Sequence, residues 1–219
     1  MARIELPSGT PAELALPAGR PTLGLALAPD IMGLRPLFDD LCARLAAEQG
    51  WAVCAPEPFP GREHLTVEER QAAVAGLDDA RVVGDLVAAA DRTGAERVGV
   101  LGFCMGGMYA LKAAGSGHFR RAVAFYGMIR IPEKWLGPGQ GQPLDALAKP
   151  EACPVLAIVG GCDHWTPPAD VAALEPLLDV TVVRYPEADH GFVHDPARPT
   201  HRPADAADAW ARAIAFLTG

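Results

Sequence analysis

The sequence predicts an α/β fold, built as a mostly parallel, doubly wound sheet with helices on both faces. Short apolar runs alternate with helical patterns along all 219 residues, and this alternation is typical of α/β proteins. Most of the apolar runs are uninterrupted, as expected for strands that are buried on both faces of a parallel sheet. We find no internal repeat and no linker-like boundary, so we expect one domain over residues 1–219.

The predicted strands are the six apolar runs at 23–29, 51–59, 98–103, 122–127, 155–161 and 180–185. Helical patterns lie between and after them, at 34–49, 68–94, 105–115, 168–178 and 203–218. The segments Arg3–Leu6 and Glu13–Leu16 flank Pro7-Ser8-Gly9 and predict a hairpin at the sheet edge. The segments 56–64 and 130–150 are predicted loops at the carboxyl ends of strands, where open α/β sheets place their sites.

Composition and charge exclude several classes of protein. Half of the residues are hydrophobic and 21% are charged, which is ordinary for a globular chain and argues against disorder. The net charge of −8 makes nucleic acid or an anionic membrane surface a poor partner. No apolar leader begins the sequence and no apolar run approaches the roughly 20 residues of a membrane span. We therefore expect a cytoplasmic protein.

The cysteine and histidine patterns predict neither a disulfide framework nor a metal site. Five cysteines, at positions 42, 54, 104, 153 and 162, are an odd number without CxxC or zinc-like spacing. Reduced thiols are the expectation for a cytoplasmic chain. Apart from His190, the histidines show no HxxxH or HExxH spacing among themselves, so we expect no metal.

The strongest motif runs from Gly102 to Gly106, between the predicted strand 98–103 and the predicted helix 105–115. It is the G-x-S-x-G nucleophile elbow with Cys104 in place of serine. In such a turn, side chains two residues to either side of the nucleophile would collide, and glycines remove them. The helix N-terminus also favours negative charge on the thiol. A glycine-rich turn around an ordinary buried cysteine is the alternative interpretation of this motif taken alone.

The rest of the chain favours the catalytic interpretation. In this kind of fold, nucleophile, acid and histidine follow one another in that order along the chain. Asp163 follows the predicted strand 155–161 and His190 follows the strand 180–185, at the same sheet edge as Cys104. The three side chains supply a thiol nucleophile, an orienting carboxylate and a base. Asp189 is the alternative acid, but it would point elsewhere if the strand end is extended.

Several separated stretches resemble the dienelactone hydrolase family, within the α/β-hydrolase superfamily. They are PDIMGLRP (29–36), GFCMGGMYA (102–110), AVAFYG (122–127), GCDHWTP (161–167), EADHGF (187–192) and the tail 196–217. The resemblance covers nearly the whole chain and implies an α/β-hydrolase fold that cleaves enol-lactone or ester substrates without a cofactor. It also implies a triad of Cys104, Asp163 and His190. The backbone N–H groups of Ile31 and Met105 would form the oxyanion hole.

Two positions depart from the family pattern. The family has a glutamate that contacts the resting thiol where this sequence has Asp30, which is one methylene shorter. Type members have an arginine that holds a substrate carboxylate where this sequence has His194. Histidine lacks the planar fork of arginine and grips a carboxylate less well. The substrate therefore need not be dienelactone, and the arginines that could replace this grip are Arg62, Arg70, Arg198 and Arg202.

The sequence thus predicts a carboxylic ester or lactone hydrolase of the dienelactone hydrolase type. We expect Cys104 to form a thioester acyl-enzyme through an oxyanion bound by backbone N–H groups, and His190 to activate water. A small-ester esterase or a thioesterase would use the same residues. A non-catalytic ligand-binding protein on the same fold is the alternative from another class. The expected partner is a small-molecule ester or lactone, and the expected state is a monomer or small homo-oligomer.

Overall fold

A computed structural model describes residues 1–219, and its centre is one eight-stranded sheet. The strands are β1 (Ala2–Glu5), β2 (Pro11–Ala15), β3 (Gly24–Ala28), β4 (Ala52–Pro56), β5 (Val98–Phe103), β6 (Arg121–Phe125), β7 (Val155–Gly160) and β8 (Val180–Tyr185). They are ordered β1-β2-β4-β3-β5-β6-β7-β8. The pairs β1–β2 and β2–β4 are antiparallel, and the pairs from β4 to β8 are parallel. The predicted fold class and edge hairpin are confirmed.

Seven α-helices accompany the sheet: α1 (Pro36–Gln49), α2 (Val67–Ala73), α3 (Asp79–Arg92), α4 (Met105–Ala114), α5 (Pro143–Leu147), α6 (Pro168–Ala172) and α7 (Pro203–Thr218). Short 3-10 turns span Val74–Gly76 and Glu133–Trp135. None of the helices combines the length and the apolar character that crossing a bilayer requires.

The apolar core consists of two clusters, one on each face of the sheet. One cluster of 35 buried residues joins the sheet to α3 and α4, for example through Leu86 and Ala110. A second cluster of 27 buried residues joins the opposite face to α1 and α7, for example through Phe38 and Ala213. Because both faces are covered, β3, β4 and β7 are buried along their whole length. This explains why those strands are uninterrupted apolar runs.

Two predicted helices differ from those observed. The pattern at 68–94 forms α2 and α3, because Asp78 caps α3 by accepting a hydrogen bond from the Ala80 N–H at 2.8 Å. The pattern at 168–178 stops early, since α6 ends at Ala172. Pro176 lies four residues later, and a proline ring clashes with the carbonyl of the fourth residue before it. The loop predicted at 130–150 contains the 3-10 turn Glu133–Trp135 and the short helix α5.

Candidate active site

The candidate catalytic side chains meet at the carboxyl-terminal edge of the sheet. Cys104 directly follows β5, Asp163 follows β7 and His190 follows β8. Since β5 to β8 are parallel neighbours, their carboxyl ends lie at one edge, as the sequence predicted. Asp30 follows β3 and Tyr126 follows β6 at the same edge.

The backbone at Cys104 is strained in the manner of a nucleophile elbow. Its φ is 56° and its ψ is −121°, and Cys104 and Tyr126 are the only non-glycine residues with positive φ. A Cβ on Gly102 would lie 2.1 Å from the Gly106 carbonyl oxygen, and a Cβ on Gly106 would lie 2.2 Å from the Ala28 carbonyl oxygen. Only glycine fits at either position, so the turn holds the thiol at the start of α4 without a collision.

His190 is oriented by a buried carboxylate. Its Nδ1 lies 2.8 Å from Oδ2 of Asp163, whose side chain is completely buried. The other oxygen of Asp163 accepts a hydrogen bond from the Trp165 N–H at 2.8 Å. Asp189 is exposed and accepts from the backbone N–H of His190 instead. The carboxylate partner of the imidazole is therefore Asp163 and not Asp189.

The free side of the imidazole faces Cys104. Nε2 of His190 is buried and has no hydrogen-bond partner. Burial by itself lowers the pKa of this imidazole, but the charges and hydrogen bonds of Cys104 and Asp163 outweigh burial and raise the pKa of His190 to about 10. A protonated histidine beside a cysteine favours the thiolate, which is the nucleophilic form. The arrangement is suited to attack by sulfur.

Two backbone N–H groups beside the thiol are free to donate. The Asp30 carbonyl accepts from the Gly33 N–H at 2.9 Å, and the Cys104 carbonyl accepts from the Met108 N–H at 3.0 Å. Because a trans peptide points its N–H opposite to its carbonyl, these bonds turn the N–H groups of Ile31 and Met105 away from their own turns. Neither N–H has an acceptor within the protein. Met105 is the first residue of α4, directly after Cys104, and Ile31 lies in the loop after β3, so the two N–H groups can serve a developing oxyanion.

Asp30 is occupied by other partners and makes no hydrogen bond to the thiol. Its buried carboxylate accepts hydrogen bonds from the Met32 N–H at 2.9 Å, from Arg35 at 2.7 and 2.8 Å, and from His194 at 2.8 Å. Burial raises the pKa of Asp30, but the hydrogen bonds from His194 and Arg35 outweigh it and hold the pKa well below its usual range. The hydrogen bonds of Asp30 in this structure therefore go to Met32, Arg35 and His194.

His194 also differs from its expected position in the substrate cleft. Its side chain is fully buried, with Nδ1 2.5 Å from the Tyr126 hydroxyl and Nε2 bonded to Asp30. Burial lowers the pKa of His194. No surface of the ring is left for a substrate in this conformation.

Among the four candidate arginines, Arg198 packs against Gly191, the residue after His190. A Cβ on Gly191 would approach Nη1 of Arg198 to 2.5 Å, and the Arg198 side chain is one-third exposed. Its guanidinium also lies 3.6 Å from Oδ2 of Asp30 and 3.7 Å from Oδ2 of Asp195. Arg70 is buried against Glu57. Arg202 is paired with Asp205 and Glu187, and Arg62 lies exposed in the loop after β4.

Tyr126 and an aromatic wall beside His190 were not predicted from the sequence. The Trp165 ring lies 6.2 Å from the His190 ring and stacks on Trp135 at 5.1 Å. Tyr126 meets His190 edge-to-face at 5.1 Å. Tyr126 lies in the stretch AVAFYG, which was singled out only for its resemblance, and nothing local in the sequence distinguishes its hydroxyl from that of a core tyrosine.

One group of side chains has the spacing of metal ligands. Asp163, His164 and Asp189 each bring one ligand atom to within 4.8 Å of the others. Both oxygens of Asp163 already accept hydrogen bonds, from His190 and from the Trp165 N–H. Asp189 accepts from the backbone of His190. The group is accounted for by the orientation of His190.

Comparison with known protein families finds a match over nearly the whole chain. The model of the "Dienelactone hydrolase family" matches residues 10–219. A "Carboxymethylenebutenolidase" of Rhodococcus opacus is 32% identical over 215 residues, which cover 88% of this chain and 79% of that protein. A "Probable 2-oxo-3-(5-oxofuran-2-ylidene)propanoate lactonase" of Bradyrhizobium sp. is 31% identical over 204 residues, covering 86% of this chain and 80% of that protein.

A solved structure shares the whole fold. The crystal structure named "Putative Dienelactone Hydrolase" from Klebsiella pneumoniae subsp. pneumoniae superposes with a TM-score of 0.85 and 28% identity. The superposition covers 99% of this chain and 97% of that one.

Proposed function

Because the chain belongs to the dienelactone hydrolase family, we propose that its hydrolysis of ester or lactone bonds uses Cys104 as nucleophile. The observation that carries the proposal is the strained turn at Cys104, beside a His190 that is bonded to Asp163 at 2.8 Å. His190 would be the base and acid, and Asp163 would hold the imidazole in the required orientation.

The proposed reaction has two halves. The Cys104 thiolate attacks the carbonyl carbon, and the oxyanion accepts hydrogen bonds from the N–H groups of Ile31 and Met105. The carbon–oxygen bond to the leaving group breaks, and His190 gives that oxygen its proton, leaving a thioester. Water then attacks the thioester while His190 takes a proton from it, and Cys104 leaves as thiolate. Preorganised donors of this kind are worth about 10²–10³ in kcat each.

The chemistry favours substrates with good leaving groups. A thiolate acylates easily, so an enol lactone or aryl ester matches the site better than an alkyl ester. The names of the two relatives refer to carboxylate-bearing groups, propanoate in one and carboxymethylene in the other. We propose that the substrate of this chain also carries a carboxylate and that Arg198 binds it, since Arg198 is partly exposed beside Gly191.

Turnover by matched variants tests the proposal. Wild type, Cys104→Ala and Cys162→Ala are assayed on enol lactones, p-nitrophenyl esters and acyl thioesters. Cys162 is the exposed cysteine nearest in sequence to Asp163, so its variant controls for loss of a thiol near the site. Cys104→Ala is expected to lose about 10⁶-fold in kcat, by analogy with serine-protease nucleophiles, while Cys162→Ala keeps wild-type activity.

The same assay separates the alternatives. A thioesterase would turn over acyl thioesters with a higher kcat/KM than lactones, and a small-ester esterase would prefer short aliphatic esters. A non-catalytic binding protein would show no turnover with any of them. If Cys104→Ala keeps more than about a tenth of wild-type activity, far above the expected residual activity, the covalent mechanism is refuted.

A further inference from the structure

We infer that Tyr126, His194 and Asp30 form a buried hydrogen-bonded chain. It positions residues 29–35, the oxyanion loop that presents the Ile31 N–H, against the loop of His190. The inference rests on the proposed function, because it assigns these residues to the site built around Cys104. None of the three makes a hydrogen bond to the thiol, so they are positioning residues.

The direction of donation along the chain is fixed by its ends. The Asp30 carboxylate can only accept, so Nε2 of His194, at 2.8 Å, carries the proton and donates it. In a neutral imidazole the other nitrogen is then an acceptor, and the Tyr126 hydroxyl, 2.5 Å from Nδ1, donates to it. Burial lowers the pKa of His194, which agrees with a neutral ring. Every group in the chain therefore has a partner of the right kind.

The hydrogen-bonded chain connects three loops of the site. At one end, Asp30 accepts from the Met32 N–H and from Arg35, so the carboxylate fixes the turn that presents the Ile31 N–H. At the other end, Tyr126 follows β6 and touches the His190 ring edge-to-face at 5.1 Å. His194 lies in the loop of His190, so the chain sets the separation between an oxyanion donor and the base.

The backbone of Tyr126 gives a second, independent observation. Its φ is 41°, and the only other non-glycine residue with a positive φ is the nucleophile Cys104. Such conformations cost on the order of 1–3 kcal/mol and cluster at functional sites. A tyrosine that only filled the core would gain nothing from this strain. The strained turn is accounted for if the hydroxyl must reach His194 at the edge of the sheet.

The plain alternative is that His194 is a core histidine that is merely well packed. It stacks on Phe103 at 4.8 Å between ring centroids, and its hydrogen bonds would then contribute to stability alone. The two accounts differ in what removal of the Tyr126 hydroxyl does. If the hydrogen bonds serve only stability, removing the hydroxyl lowers the free energy of unfolding. If they position the site, removing it lowers kcat and leaves KM unchanged.

The test compares Tyr126→Phe, Asp30→Asn and the double variant with Tyr185→Phe. Tyr185→Phe is the matched control. The Tyr185 hydroxyl donates a hydrogen bond to the Asp208 carboxylate at 2.6 Å and takes no part in the hydrogen-bonded chain. Each protein is assayed for kcat and KM on an activated ester and for its midpoint of urea unfolding. Tyr126→Phe keeps the ring and is expected to fold.

We expect Tyr126→Phe to lower kcat by about 10- to 100-fold, the size of effect that small misplacements produce, with KM within about twofold. Tyr185→Phe should keep the wild-type kcat. In the double variant, Asp30→Asn should lower kcat little beyond the effect of Tyr126→Phe, because both substitutions break the same hydrogen-bonded chain.

Three results would overturn the inference: a wild-type kcat in Tyr126→Phe, effects that multiply fully in the double variant, or a fall in kcat that Tyr185→Phe shares. None of these results bears on the proposed nucleophile, which is tested by the activity of Cys104→Ala. The two claims are therefore tested separately.

Discussion

Gly106 offers the sharpest structural test of the oxyanion loop. A Cβ on this residue would lie 2.2 Å from the carbonyl oxygens of Ala28 and Pro29, which lead directly into the loop that presents the Ile31 N–H. Ordinary contact begins near 3.4 Å, so in Gly106→Ala this backbone must retreat by about 1 Å. A displacement of that size removes a well-placed donor. We expect kcat to fall by about 10²–10³.

Gly115→Ala is the matched control for Gly106→Ala. It lies at the other end of α4, and its Cβ would meet the Ala146 carbonyl oxygen at 2.3 Å. The two substitutions thus create clashes of similar severity, and both should lower stability by about 1–3 kcal/mol. The assay measures kcat on an activated ester and the free energy of unfolding in urea. A wild-type kcat in Gly106→Ala, or an equal loss in Gly115→Ala, would refute the reasoning.

Three further predictions concern charge. The pKa of His190, about 10 in the wild type, should fall clearly in Cys104→Ala when followed by NMR. An unchanged His190 titration in Cys104→Ala would contradict a thiolate–imidazolium pair. The raised pKa of His190 stabilises the fold below pH 6.5, and this contribution is lost as the pH rises through about 10. Glu57→Gln should lower the free energy of unfolding by about 3 kcal/mol, since it breaks a buried ion pair, whereas the exposed Glu96→Gln should not. Arg198→Gln should raise KM about tenfold for a carboxylate-bearing lactone, the size of one charged hydrogen bond, and equal KM changes for a neutral ester would rule out carboxylate binding.

Local patterns in the sequence were sufficient for the fold class and for the candidate site. Parallel strands buried on both faces leave uninterrupted apolar runs, and their carboxyl ends meet at one edge whatever the details of packing. The elbow glycines are required by contacts within one turn, so the motif around Cys104 is visible without the structure. Chain order and strand ends were then enough to bring Asp163 to His190.

The interior of the site could not be predicted, because its contacts join residues that are far apart in sequence. Asp30 and His194 are separated by 164 positions, and nothing near either residue indicates the other. Asp30 was expected to contact the thiol, but the hydrogen bonds from Arg35 and His194 occupy its oxygens. The early end of α6 is different in kind, because Pro176 was present in the sequence and its effect on Ala172 is local.

The central claim is that Cys104 becomes acylated, and trapping of the acyl-enzyme tests it most directly. The protein is mixed with a slowly hydrolysed p-nitrophenyl ester, quenched in acid within one turnover, digested with pepsin and mapped by mass spectrometry. The account predicts one added acyl mass on the peptide that contains Cys104, and none on the peptides of Cys162 or of Cys104→Ala. Acyl mass on Cys162, or rapid turnover with no acylated Cys104 at any quench time, would contradict it.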